Sequence, residues 1–443
     1  LNGFMLWAQP EWIKETGARR TPAANKIFYA NKFGARADSL YNSTAAIQKA
    51  IDACAAAGGG TVLLKPGSYK TGALFMRSNV MLQIDKSVIL LGSTDFSDYP
   101  EIDTRIAGIE MKWPAALINF INADNAALTG DGQINARGKF CWDLYWRMRE
   151  SYDKKGLRWV VDYDAKRVRT ILLQSSRDIT ISGLTLKNAG FWTVQVLYSS
   201  YVSINGLTIL NNEDGKGPST DGIDIDSSSW VKVENCEIDC NDDNFCLKSG
   251  RDWDGLRVNR PTEYVYINNC VARRGAGLLT LGSETAGGIR HVYCSNLRAK
   301  HTGSGFRIKS ATTRGGLLED IYFVAVTMDS VRDVFQFNLN WYPAYSYSQL
   351  PEGYNYDNIP AHWRVLLHKV EPAERGIPHA RDIHISDVTA THARKAIVAL
   401  GLPGSLLERF DFKNCHIQAA SLGEMQYCEN WLWDDWNISL GGK

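Results

Sequence analysis

The sequence lacks a long apolar run. No stretch of its 443 residues approaches the roughly 18 consecutive apolar residues of a membrane span, which excludes a helical transmembrane segment. It also lacks an excess of charge. Lys and Arg number 49 against 48 Asp and Glu, a net charge of +1, so nothing in the balance asks for nucleic acid or an anionic membrane as partner. Cysteines are few and odd in number, nine in all, which excludes a disulfide scaffold. The only close group, Cys236, Cys240 and Cys246, has no histidine at ligand spacing, so buried thiols are expected in place of a metal site. Leu1–Pro10 lacks the basic-then-apolar layout of a signal peptide, although a leader already removed would leave no trace. What is present is 44% hydrophobic and 22% charged, a folded balance that excludes disorder. A single compact core rarely grows past about 250–300 residues, so a chain this long either splits into domains or stacks repeats.

Repetition without helices is the strongest positive signal. From Asp178 onward short alternating runs recur, beginning with Ile179-Thr-Ile-Ser-Gly-Leu-Thr-Leu186 and Val202-Ser-Ile-Asn-Gly-Leu-Thr-Ile209. Val231–Ile238, Val265–Val271, Val292–Leu297, Ile321–Met328, Ile383–Val388 and Phe410–Ile417 continue the series. Their central positions, 181, 204, 233, 267, 294, 323, 385 and 412, are spaced by 23, 29, 34, 27, 29, 62 and 27 residues. The runs are β-branched and too closely spaced for helical crossovers. They predict an all-β solenoid, a parallel β-helix whose coils stack about 4.8 Å apart. A β-sandwich also has short alternating strands, but it would not need the same bend residue in every one. The spacing of 62 marks either a long insertion or one unrecognised coil.

Ser43–Ala57 is the one clear amphipathic helix, with Ile47, Ala50, Ile51 and Cys54 on one face and Gly58-Gly-Gly60 after it. It is expected to cap the exposed end of the solenoid. Residues 1–27 read as a surface arm, and 28–443 as a single β-helix domain. Two stretches break the rhythm, 138–170 and 340–380, both rich in aromatic residues. Loops of that length usually form functional walls.

Asp221 lies 21 residues before Asp242, close to one coil, and Asp243 follows directly. Carboxylates on neighbouring coils of one face would suit an acid that protonates a glycosidic oxygen and a base that activates water. Their crowding would keep one of them protonated near neutral pH. The plainer reading, Asp and Asn filling β-turns, stays open on the residues alone. Downstream, Arg307 and Lys309 are two apart and share one side of a strand. They would suit a uronic acid carboxylate, with Arg bidentate and Lys as a point charge, or else form an ordinary surface ion pair.

Together these motifs resemble glycoside hydrolase family 28, the polygalacturonase family of pectin-degrading enzymes. The family's Asn-Thr-Asp reads Ser219-Thr220-Asp221, and its Gly-Asp-Asp with Ile-Lys-Ser-Gly reads Asn241-Asp242-Asp243 with Leu247-Lys248-Ser249-Gly250. Arg307-Ile308-Lys309 is intact, and Phe33-Gly34-Ala35, Gly130–Ile134, Asn188–Trp192 and Leu281-Gly-Ser-Glu284 agree. The resemblance implies a right-handed β-helix and inverting hydrolysis of α-galacturonic acid linkages. It implies that Asp242 is the general acid, with Asp221 and Asp243 positioning and deprotonating water. Arg307 and Lys309 would hold the uronate, with Lys248 and Asn188 as further substrate contacts.

Two departures bear on the substrate. The family's Gly-His-Gly reads Gly275-Ala276-Gly277, and Ser219 replaces its first Asn. Both point to a variant pectic linkage, such as galacturonic acid joined to rhamnose. The aromatic-rich loops and Leu281–Glu284 point to trimming of chain ends. The expectation is therefore a secreted or periplasmic monomer acting on pectic oligo- or polysaccharides without a cofactor or metal. Two alternatives are a binding protein that kept the groove and lost catalysis, and a pectic lyase needing carboxylate-bound calcium.

Overall fold

In the computed structural model, which describes residues 9–23, 25–212 and 215–441, the chain winds into a right-handed parallel β-helix with three sheets. The first sheet stacks Arg177–Ser182, Ser200–Asn205, Ser229–Glu234 and Thr262–Asn268 in parallel register. The eight central positions of the sequence repeat fall on one ladder of this sheet: Ile181, Ile204, Val233, Ile267, Cys294, Phe323, Ile385 and Phe412. All eight are buried, each fully buried aliphatic side chain contributing about 1.5–3 kcal/mol. Phe323 pairs directly with Ile385, so the spacing of 62 is an insertion and no coil was missed.

The repeat carries one bend residue because the coil must turn a corner there. Asn235, Asn269, Asn296, Asp387 and Asn414 all have φ between 51° and 56°. Asn and Asp tolerate this left-handed conformation, which costs other residues roughly 1–2 kcal/mol. Their amides also bond along the stack: Asn269 Nδ2 donates to Asn235 Oδ1, and Asn235 Nδ2 to Asn205 Oδ1, both at 2.7 Å.

The helix expected over Ser43–Ala57 spans Thr44–Ala56 and buries Ile47, Ala50, Ile51 and Cys54 against the first coils. At the other end Trp431, Trp433 and Trp436 pack on Phe410 and Phe412. The part of the arm within the described residues straps the outside of the first sheet. Ile13 is buried under Tyr266, Tyr293 and Val324, and the backbone N–H of Gly17 donates to Trp230. Arg20 pairs with Asp178 and Asp124. Residues 1–8 and 24 of the arm lie outside the described residues. Eight cysteines are buried thiols and Cys428 is half-buried. Among the described residues no helix is long and apolar enough to cross a membrane.

Three excursions leave the coils and meet over the third sheet. The first stretch holds helices Lys139–Lys154 and Val161–Asp164, and the second holds Pro343–Ser346 and Ala361–Leu367. They pack on each other: Trp159 Nε1 donates to Gln349 O at 3.0 Å, its ring meets Trp363 edge-on at 5.5 Å, and Trp363 Nε1 donates to Asp164. The third excursion is an antiparallel hairpin, Glu101–Ile106 with Ile109–Pro114. Its tip, Ala107-Gly108, has φ of 42° and 91°. A Cβ on Gly108 would lie 2.3 Å from Arg251 Cβ and 2.7 Å from Glu284 Cγ, so only glycine lets the tip reach this depth.

Candidate active site

The third sheet carries consecutive strands Ile223–Asp226, Asp243–Lys248, Gly277–Leu281 and Ser304–Lys309. Alternate residues point into the core, such as Ile225, Leu247, Leu281 and Ile308, and the others point outward. Asp221 and Asp242 sit just before the first two strands, at the corner where the chain enters this sheet. Backbone bonds fix all three acids, because their own carbonyls accept from Thr193, Ala276 and Gly222 on adjoining coils. Their side chains converge, with one oxygen of each within 4.8 Å of the others. That is closer than the roughly 6.5–9.5 Å common in inverting pairs.

The environments drive these carboxyls apart. Asp243 is buried, and burial alone would raise its pKa. Lys309 Nζ at 2.7 Å and Arg307 Nη1 at 3.5 Å overcome this and hold it well below the usual carboxylate range. Thr280 Oγ1 donates at 2.7 Å to Oδ1, the oxygen that Arg307 also faces, while Lys309 holds Oδ2. Asp242 is half-buried, and burial followed by repulsion from Asp243 pushes it up. Asp221 is pushed up by burial and then by Asp224 and Asp242. Neighbouring carboxyls driven in opposite directions, one toward the protonated form and one toward the ionised, offer the division of labour that acid–base catalysis needs.

Lys248 is a hub. Its ammonium lies 3.2 Å from Glu284, 3.5 Å from Asp224 and 3.9 Å from Asp221, and 5.0 Å from the Trp192 ring centroid. Burial works to raise Glu284, but Lys248 and then Arg314 lower it to about 2. Asp221, Asp224 and Cys246 also bring donor atoms within 4.8 Å of one another. Lys248 already places a positive charge among these carboxylates, and Cys246 Sγ donates to Gly282 O at 3.2 Å, so the donor set is arranged around an amine.

These groups open into a cavity of about 270 Å³. Its floor is Asp221, Asp242, Lys248, Ala276, Glu284, Arg307 and Lys309, and its walls are Ala107 of the hairpin, Arg158 and Asp162, Phe191 and Trp192, and Trp341, Tyr342 and Tyr345. Trp341 lies 4.7 Å from Lys309 Nζ and 5.4 Å from Arg307 Cζ, ring centroid to cation. Asp243 supports the floor from behind. The structure thus brings together Asp221, Asp242, Asp243, Lys248, Arg307 and Lys309.

Asn188 is placed elsewhere. It is a corner residue with φ of 52°, its Nδ2 donates to Asn135 at 3.4 Å, and it does not line the cavity. The position asks for a residue that tolerates the left-handed turn, and the cavity gives no support to a substrate contact there. Sequence reasoning missed Asp224 and Arg158 and gave Glu284 no role. Two runs alternating around Ala107-Gly108 are a hairpin signal that could have located the third wall.

The model of the family described as glycosyl hydrolases family 28 matches residues 59–342. A probable polygalacturonase of Vitis vinifera is 32% identical over 384 residues, 82% of this chain and 74% of that one. An exo-poly-alpha-D-galacturonosidase of Dickeya chrysanthemi is 27% identical over 337 residues, 68% of this chain and 55% of that protein. Among solved structures, the hyperthermoactive exopolygalacturonase from Thermotoga maritima superposes with a TM-score of 0.76 at 23% identity, covering 95% of this chain and 94% of that one. The polygalacturonase from Erwinia carotovora superposes with 0.67 at 20% identity, covering 96% and 98%. With a solenoid of the same kind, a family match over well over half its length and a clustered acid trio, the chain belongs to glycosyl hydrolases family 28 and is a glycoside hydrolase.

Proposed function

We propose that the protein is an exo-acting, inverting hydrolase of α-galacturonic acid linkages in pectic chains, working outside the cytoplasm where such polymers occur. Asp242 protonates the glycosidic oxygen as the C–O bond breaks. A water held by Asp221 and Asp243 attacks the anomeric carbon from the opposite face and gives its proton to Asp221. Arg307 and Lys309 bind the uronate carboxylate, and Lys248 steadies the acids and contacts the sugar beside Trp192. Inversion is carried over from the family.

The observation that carries the exo reading is the wall. The hairpin and both insertions enclose a cavity near the lower edge of the roughly 300–1,000 Å³ of small-molecule sites, a shape for a chain end and not for a passing polymer. Relatives named exo-poly-alpha-D-galacturonosidase and exopolygalacturonase support it, at 27% and 25% identity. Ala276 lines the cavity beside Asp242 and supports a variant linkage, because a small apolar residue there leaves space for a neighbouring sugar without a carboxylate, such as rhamnose. The test is digestion of homogalacturonan and rhamnogalacturonan oligomers of equal length, with products identified by mass and polymer viscosity followed in parallel. Release of terminal units at nearly constant viscosity, with higher kcat/KM on the rhamnose-containing series, is expected. An early collapse of viscosity removes the exo reading, and equal or faster cleavage of homogalacturonan removes the variant linkage.

A further inference from the structure

One carboxylate in the site has no task in the reaction as described. Asp224 lies on the third-sheet strand between Gln195 and Cys246, in register with both, and is fully buried. Among the described residues neither of its oxygens has a hydrogen-bond partner, Asp221 Oδ1 has none either, and one oxygen of each carboxyl lies within 4.8 Å of the other. Two buried carboxylates with unpartnered oxygens turned to the same small space are costly if both are ionised, and a proton between them removes most of that cost.

The charges around Asp224 point the same way. Among the described residues Lys248 is the one cation within 4 Å of it, and that ammonium also serves Glu284 and Asp221. Glu284 takes the larger share, because it is nearest and also accepts from Tyr345 and Ser283. The other groups facing Asp224 are acids, Asp242 and Asp243 from the next coil, together with the Cys246 thiol. On the preceding coil, Arg169 is held off by donating to Gln195 at 2.6 Å, and Arg105 of the hairpin is paired with Asp226 at 2.9 Å. One ammonium cannot balance three carboxylates.

We propose that Asp224 is a positioning residue that stores one proton for the site, and that this leaves neighbouring Asp221 as the ionised base. The inference rests on the proposed role of Asp221. In the turnover cycle Asp224 keeps its proton throughout: the water's proton passes to Asp221, and the proton of Asp242 passes to the leaving oxygen. Burial, opposed by Lys248 and reinforced by Asp243, lifts Asp224 to about 8, and burial with Asp224 and Asp242 pushes Asp221 up as well. The proton is placed on Asp224 because that carboxyl is sealed from the cavity, whereas Asp221 lines it. The Asp221–Asp224 pair titrates as a unit, and its second proton loss brings a second buried negative charge into the site.

The experiment compares wild type with Asp224→Asn, whose amide stands in for a protonated carboxyl. At pH 6–7 the variant keeps kcat within about tenfold of wild type, the equivalent of one pKa unit. If Asp224 works ionised, the loss is instead about 10²–10⁴-fold and the proposal falls. The second readout needs no substrate, so it stands even if the hydrolase reading fails. An acid whose folded pKa is raised weakens the fold progressively as pH climbs from the unfolded value toward the folded one. The melting temperature of Asp224→Asn relative to wild type therefore rises between about pH 4 and pH 8, and a pH-independent difference overturns the inference. Third, folded Asp242→Asn protein at pH 7 shows the infrared carbonyl band of a buried protonated carboxyl, lost on adding Asp224→Asn. Should the double variant not fold, Asp221→Asn in that background keeps the same band, and its loss there would place the proton on Asp221 and overturn the proposal. Absence of the band from Asp242→Asn protein also refutes the proposal.

Discussion

Asp242→Asn isolates the proton that the reaction donates. The change keeps the side chain's shape and its Oδ1, which accepts from the backbone N–H of Asp243 at 3.0 Å, so the fold loses no contact there. Denaturation in urea is expected to place the variant within about 1 kcal/mol of wild type, the scale of one altered hydrogen bond. What is removed is a proton whose release burial and the adjoining Asp243 charge push to higher pH. A general acid contributes about 10²–10⁴-fold, so kcat on pectic oligosaccharides should fall by that factor, or about 2.7–5.5 kcal/mol of barrier. A nitrophenyl galacturonide separates this role from others, because its leaving group departs without protonation. On it the variant should lose less than about tenfold. The alkaline limb of the wild-type pH–rate profile, set by Asp242 losing its proton, should vanish with that substrate. A variant that retains more than a tenth of wild-type activity on the oligosaccharide, or one that loses both substrates equally, would refute the assignment of Asp242 as acid.

Lys309→Met leaves Asp243 buried with only Arg307 at 3.5 Å, and breaking a buried pair costs about 3–5 kcal/mol in urea unfolding. Because Asp243 is depressed in the fold, that stabilisation exists above its unfolded pKa of about 3.9 and is lost as pH falls. The gap between wild type and variant should therefore close in acid, and a constant gap would contradict the pairing. Asn235→Val forces a β-branched residue into φ of 56° and breaks bonds to Asn205 and Asn269, with an expected loss of about 2 kcal/mol or more; an unchanged urea midpoint would remove the corner ladder from the account. Ala276→His fills the space beside Asp242 and should shift the ratio of kcat/KM toward homogalacturonan oligomers, whereas an unchanged ratio would detach position 276 from substrate choice.

The coil was legible in the sequence because the corner residue repeats, and the three acids because the coil spacing and the family's motifs fall on the same residues. Gly183, Gly206, Asn235 and Asn269 mark where each run must bend, and the runs between them alternate cleanly, so the ladder from Ile181 to Phe412 can be counted without coordinates. The Asp221–Asp242 spacing of one coil then places both acids at one corner. Less was legible where contacts do not follow the repeat. Glu284 reaches Lys248 from a later coil, beyond the end of its strand. Arg158 enters the cavity from a helical excursion whose position is set by Trp159 against Trp363, a contact spanning 204 residues of sequence. Asp224 looked like ordinary strand alternation, since nothing in Ile223-Asp-Ile-Asp226 distinguishes a solvated face from one roofed by insertions.

The coil between the acids and the cations explains why its residues are small. Asp243 pairs in register with Gly277, and Arg307 lies one coil further along beside Thr280. Two coil rises are about 10 Å, too far for short side chains, so Lys309 and Arg307 must reach back across the middle coil to meet Asp243. Anything bulky there would block them. A Cβ on Gly277 would stand 2.5 Å from Thr280 Oγ1 and 3.1 Å from Asp243 Oδ1, in the path of the bonds that keep Asp243 ionised. Ala276, next to it, lines the cavity with no more than a methyl group. Small residues at 276 and 277 thus keep the middle coil low. That lets the cations reach Asp243, and it leaves the space beside Asp242 on which the proposed choice of linkage rests.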